Sequence, residues 1–126
     1  MRLLLDTQVL LWAAKGTAPS KPQSLLEDTA NDLFFSPVNL WEIELKKSKL
    51  NVDLKTFYQN LIRSGYQELT ISSRHILALS SIPDLHNDPF DRMLLAQAFS
   101  ERLTLLTADE MLIRYGNYLD CIIQFR

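Results

Sequence analysis

The sequence predicts an α/β fold built on a central, mostly parallel sheet. Two observations predict it: short continuous apolar runs recur along the 126 residues, and helical patterns separate each run from the next. Strands that alternate with helices pair in parallel, because the chain must cross back over the sheet before another strand can begin. The composition, 47% hydrophobic and 22% charged, is that of an ordinary globular chain with enough apolar surface for a core. No linker, repeat or low-complexity tract divides it, so a single domain over residues 1–126 is expected.

The elements follow in order. RLLL, ending at Asp6, reads as a buried strand, after which TQVLLWAAK turns into a helix. KGTAPSKP at 15–22 reads as a surface loop, and the next helical pattern starts near Ser24. LFFS at 33–36 is the second strand, with helices from about Ser36 and Leu54. ELTI at 68–71 is the third strand, and Ser72 opens another helix. Asp88, just before Pro89, makes a good N-cap for a long apolar helix carrying Met93, Leu94, Leu95, Ala98 and Phe99. LTLLT at 103–107 is the fourth strand, followed by a helix from Thr107 in which Asp109 sits inside a Thr107 to Glu110 capping box. CIIQF at 121–125 reads as the last strand.

Composition narrows the function. The longest apolar runs, such as VLLWAA at 9–14, are far too short for a membrane span, and the N-terminus has no signal-peptide pattern. A cytoplasmic protein with no membrane partner is expected. The single cysteine, Cys121, cannot form an internal disulfide, and two histidines give no cluster with zinc-ligand spacing. His75 reads as a helix-surface residue and His86 as a loop residue. A net charge of −2 provides no broad basic field, so a nucleic-acid partner would have to meet a local patch.

In a parallel sheet, ligands collect beyond the carboxyl ends of the strands. Asp6 directly follows the first strand, and Asp109 lies just past the fourth. Asp91, with Asp88, heads the long helix, and Glu42 lies beside the helical stripe of Val38, Trp41 and Leu45. Each acid also has a plain structural reading as a helix cap or a partner of the helix dipole. Glu44 borders the other flank of the same stripe, with Lys46 and Lys47 in reach of both, so periodicity does not choose between Glu42 and Glu44. Should the acids converge, two unpaired charges about 4 Å apart repel by about 4 kcal/mol at an effective dielectric near 20. A cation must then neutralise them. Without His or Cys ligands the fitting ion is Mg²⁺ or Mn²⁺, and its common use in an acidic α/β site is phosphodiester hydrolysis.

RLLLDTQVLLW, SPVNLWEIELKKSKL, HNDPFDRMLLAQA and LTLLTADE together resemble the PIN-domain family, specifically the VapC-type toxin ribonucleases of bacterial toxin–antitoxin pairs. The resemblance runs from Met1 to about Tyr115, and its four motifs keep the family's order and spacing. It implies a PIN-like three-layer fold, with the sheet flanked by helices. It also implies Mg²⁺- or Mn²⁺-dependent endonucleolytic cleavage of RNA by a metal-activated water, a homodimer, and neutralisation by a cognate antitoxin. Carried over by position, it makes Asp6, Glu42, Asp91 and Asp109 the catalytic, metal-holding acids, and so prefers Glu42 to Glu44. Asp88 belongs to the DPFDR form of the motif, where a capping role is expected and direct ligation is a further candidate role. Thr7 resembles the family's polar residue after the first Asp, supporting a neighbouring carboxylate. Gln8 departs from the many relatives that carry His there, and the tail YLDCIIQFR is less typical.

For RNA contacts the basic candidates are Lys46, Lys47, Lys49 and Arg92, the last able to meet phosphate bidentately or fix a carboxylate. A solvated helix face is the plainer reading of the lysines. Trp12 and Trp41 read as core or interface anchors. Two other functions compete. One is a catalytically silent PIN-like protein-binding module whose acids only cap helices or meet a partner's arginines. The other is a phosphatase, which would need the paired-Asp motif that DTQ lacks.

Overall fold

The computed structural model describes residues 1–124, so Phe125 of the expected last strand lies outside the described residues. Its sheet has five strands, all parallel: β1 (Arg2–Leu5), β2 (Asp32–Phe35), β3 (Gln67–Glu68), β4 (Thr104–Thr107) and β5 (Ile122–Gln124), in the spatial order β3-β2-β1-β4-β5. The first strand is therefore the middle one, with Leu4 opposite Phe34 on one side and Leu105 on the other. That position explains its composition. Leu3, Leu4 and Leu5 are fully buried because both faces of a parallel sheet are covered.

The period-two alternation of a strand sorts these leucines into two cores. Leu4 and Leu105 pack with Leu94, Leu95 and Ala98 of one helix and with Leu112 and Tyr115. Leu3, Leu5 and Leu106 face the opposite way, toward Val9, Leu10, Leu11, Phe35, Phe57 and Leu61. Helices supply the outer layers: α1 (Thr7–Lys15), α2 (Ser20–Glu27), α3 (Pro37–Leu45), α4 (Lys47–Leu50), α5 (Leu54–Arg63), α6 (Ser73–Ala78), α7 (Pro89–Glu101) and α8 (Glu110–Ile113). The helix α3 touches both cores, through Val38 and Ile43.

Three boundaries depart from expectation. The second helix begins at Ser20 rather than near Ser24, with Pro22 in its first turn, where a missing N–H costs nothing. The third strand is shorter and earlier than ELTI: after Gln67 and Glu68, only the Leu69 N–H still reaches Phe35 O, at 2.7 Å, while Thr70 and Ile71 are exposed. The helix expected from Thr107 starts at Glu110, because Thr107 completes β4 and Asp109 itself is the N-cap. Among the described residues no helix is long and apolar enough to cross a membrane.

Candidate metal centre

Asp6 is the residue after β1, and its N–H extends the ladder to Leu106 O at 3.0 Å. Both carboxylate oxygens are engaged: Oδ1 accepts from the Val9 N–H at 2.8 Å, capping α1, and Oδ2 accepts from the Thr107 hydroxyl. The residue is only 5% exposed. Burial, reinforced by the negative charges of Asp109 and Glu42, outweighs both hydrogen bonds and pushes the carboxyl up to about 6. Thr107 ties a second acid to the first, since its Oγ1 accepts the Asp109 N–H at 3.0 Å. Asp109 is exposed and caps α8 through the Met111 N–H at 2.9 Å.

Glu42 comes from α3 and is 7% exposed. Its Oε1 accepts from the Thr7 hydroxyl at 2.5 Å and its Oε2 from Lys46 Nζ at 2.6 Å. Thr7 Oγ1 in turn accepts from Asn39 Nδ2 at 3.1 Å; the same amide donates to Leu5 O at 3.3 Å, and Asn39 Oδ1 accepts from the Ser36 N–H at 2.7 Å. Asn39 thus ties α3 to the end of β1 and fixes the support of Glu42. Glu44 points elsewhere: it is exposed and paired with Lys47 at 2.8 Å. Packing separates the two glutamates that the helical wheel left equivalent.

The third contribution comes from the start of α7. Asp88 is its N-cap, with Oδ1 accepting from Phe90 N at 2.8 Å and Asp91 N at 3.1 Å. Asp91, one turn in, is half-buried, and its Oδ2 lies 2.9 Å from His86 Nε2. Desolvation pushes its carboxyl up to about 7, with the charges of Asp88, Glu42 and Asp109 adding to the shift and the His86 hydrogen bond opposing it. The negative charges of Glu42 and Asp109 therefore act on both Asp6 and Asp91. Lys46 is drawn into the same field, its ammonium held in the charged form chiefly by the Glu42 hydrogen bond, with Asp88 and Asp91 also contributing.

Acids from four separate segments therefore lie within one another's field at the carboxyl end of the sheet. Two of them, Asp6 and Asp91, are desolvated and pushed up by their neighbours' charges, so the group is short of positive charge, and its oxygen donors fit a hard divalent cation. By contrast, the hollow between α1 and α5, with Leu11, Phe57 and Leu61 alongside Lys15, Asp53 and Asn60 in its lining, touches none of these acids.

Other candidate residues are placed differently. Arg92 turns back into the protein, donating to the carbonyls of Pro83 at 3.1 Å, Ile82 at 3.4 Å and Leu79 at 3.5 Å, and to the Tyr115 hydroxyl at 3.4 Å. Its guanidinium pins the 79–83 segment to α7, which leaves little of it for phosphate. Lys49 is exposed on α4. Trp41 is 58% exposed, with its ring edge-to-face on Phe90 at 4.9 Å between centroids, whereas Trp12 packs on the Leu3/Leu5 side of the sheet. His75 is buried rather than on a helix surface: its Nδ1 accepts from the Ser72 N–H at 3.1 Å and its Nε2 lies 2.8 Å from Glu101. Sequence reasoning missed Asn39 and His86 at the site. The available signals were the Ser36-x-x-Asn39 capping spacing and the His86-x-Asp88-x-x-Asp91 spacing.

No curated protein matches the sequence. Solved structures do share the fold. VapBC2 from Rickettsia felis, bound to a promoter DNA fragment, matches at TM-score 0.72 and 16% identity over 100% of both chains. DNA-bound VapBC from Salmonella typhimurium matches at 0.70 and 17%, covering 99% of this chain and 97% of that one. A toxin–antitoxin complex from Klebsiella pneumoniae matches at 0.60 and 19%, covering 85% and 86%. At such identities the likeness is one of fold. The sequence itself matches the PIN-domain family over residues 3–118, a span that includes Asp6, Glu42, Asp91 and Asp109. With that match over nearly the whole chain, and a parallel sheet whose carboxyl end gathers the acids, the protein belongs to the PIN-domain family.

Proposed function

We propose that this PIN-domain protein is a metal-dependent endoribonuclease and the toxin of a toxin–antitoxin pair. The observation that carries the reading is the convergence of acids from separate segments in a PIN-domain chain: Asp6 at the end of β1 and Asp91 on α7 both lie under the charges of Glu42 and Asp109. Mg²⁺ or Mn²⁺ held by Asp6, Glu42 and Asp91, with Asp109 alongside, offsets that charge. When bound, the ion supplies Lewis-acid neutralisation of the phosphoryl oxygens and makes water a competent nucleophile near neutral pH.

The chain's own groups do the rest. Thr107 and the α1 N-terminus hold Asp6 in place, and Thr7 with Lys46 orients Glu42. With the cation bound, its carboxylate ligands would be held ionised, and one of the four acids would accept the proton of the attacking water. Lys46, on the rim of the acids, is the candidate contact to the RNA backbone. The antitoxin partner is supported by the fold shared with VapBC and toxin–antitoxin structures. A homodimer is supported by apolar side chains left exposed, Trp41, Leu45, Ile76 and Leu77 among them.

The test is cleavage of single-stranded RNA by the purified full-length chain. With Mn²⁺ or Mg²⁺ the RNA is expected to be cut internally, EDTA to stop the reaction, and Asp91→Asn or Glu42→Gln to slow it by about 100-fold or more. Cleavage that persists in EDTA, or a wild-type chain inert toward RNA with either ion, contradicts the proposal.

A further inference from the structure

We propose that His86 ligates the ion through Nε2, giving the centre a nitrogen donor beside its carboxylates and a preference for transition-metal divalents such as Mn²⁺ over Mg²⁺. The inference rests on the divalent-metal reading given above. Among the described residues, His86, Asp88 and Asp91 are the group of three potential ligands whose donor atoms all lie within 4.8 Å of one another.

Their geometry suits a shared ion. His86 Nε2 and Asp91 Oδ2 are 2.9 Å apart. Neighbouring ligands on an octahedral ion with bonds near 2.1 Å stand about 3.0 Å apart, so the pair already has the spacing of two adjacent ligands. Asp88 spends Oδ1 on the first N–H groups of α7, which locks its carboxylate in place and leaves Oδ2 for the ion. The three residues sit on one short stretch fixed by Pro89 at the first helical position. Side-chain exposures of 20% for His86 and 13% for Asp91 leave the pair sheltered yet reachable by an ion.

The chemistry separates metals. Mg²⁺ takes oxygen donors and gains little from an imidazole, while first-row transition ions bind nitrogen with affinity that rises from Mn²⁺ onward. His75, the other histidine, cannot substitute, because both its ring nitrogens are engaged in a buried contact with Ser72 and Glu101.

Pulsed electron paramagnetic resonance on the Mn²⁺-loaded full chain reads the nitrogen directly, and calorimetry with Mn²⁺ and Mg²⁺ reads the preference. Wild type is expected to show ¹⁴N modulation from one imidazole. His86→Asn is expected to lose that modulation and to bind Mn²⁺ about tenfold or more weakly, with Mg²⁺ affinity changed by less than about threefold. Absence of ¹⁴N modulation in the wild type overturns the inference even if the variant fails to fold. Equal weakening of both ions in a folded His86→Asn overturns it too, leaving His86 as a group that merely orients Asp91. Failure of Mn²⁺ to bind the wild type at all, or undiminished binding by Asp91→Asn, instead removes the metal-site reading on which the inference stands.

Discussion

Asp6 carries opposing demands: the carboxylate that caps α1 and accepts from Thr107 is also buried among like charges. It ionises at about 6 in the folded chain, against an ordinary value of 3.8. Between those values the folded state keeps a proton that the unfolded state has released. The stability of the metal-free protein therefore falls as pH rises from about 4 to about 7, and Asp91, pushed up to about 7, steepens the same fall. Asp6→Asn retains an acceptor for the helix cap and removes the buried charge. Without metal the variant is predicted to be more stable than the parent by about 1–2 kcal/mol at pH 7.5, with a smaller advantage at pH 4.5. Urea unfolding at the two pH values checks this, and a variant less stable than the parent at pH 7.5 contradicts it. With a saturating divalent ion the order reverses, because only the carboxylate gains from the cation.

At the scale of elements, α3 shows how the site is built from caps. Ser36 and Asn39 close the helix N-terminus reciprocally, and the Asn39 amide then reaches Leu5 O and Thr7. Asn39→Ala strands a buried N–H and a buried carbonyl, with a predicted cost of about 2–3 kcal/mol by chemical denaturation and a looser Glu42. A cost under about 0.5 kcal/mol would show that the network is incidental. The same element marks what the sequence made legible. The strands at RLLL, LFFS and LTLLT were readable, to within a residue at their ends, because continuous apolar runs have few other uses, and the helix starts at Ser72 and Asp88 because capping chemistry is local. Tertiary choices were not readable from local pattern. Thr107 abandons a capping box for Asp6, 101 residues away, and Arg92 folds back on carbonyls rather than facing outward. His86 sits in an irregular segment where no periodicity assigns a direction to its ring, and only its spacing to Asp88 and Asp91 hinted at a role.

At the scale of the whole molecule, an apolar hollow with Trp41 and Ile71 exposed at its surface lies beside the acids. Val38, Trp41, Ile71, Leu79, Phe90 and Met93 line the hollow, and Trp41 and Phe90 are each a single residue from Glu42 and Asp91. The proposed homodimer would cover that face with a second copy of the chain. Light scattering of the isolated protein is predicted to give the mass of a dimer, and Ile71→Glu to shift it toward monomer; a wild-type monomer at high micromolar concentration contradicts this. The central claim concerns the other feature of the whole molecule, the meeting of distant acids at one end of the sheet. Anomalous diffraction from crystals containing Mn²⁺ tests it most directly. The account predicts a manganese peak bound to Asp91 and to at least one of Asp6 and Glu42, whereas no peak there, or a peak seated only on other residues, contradicts it.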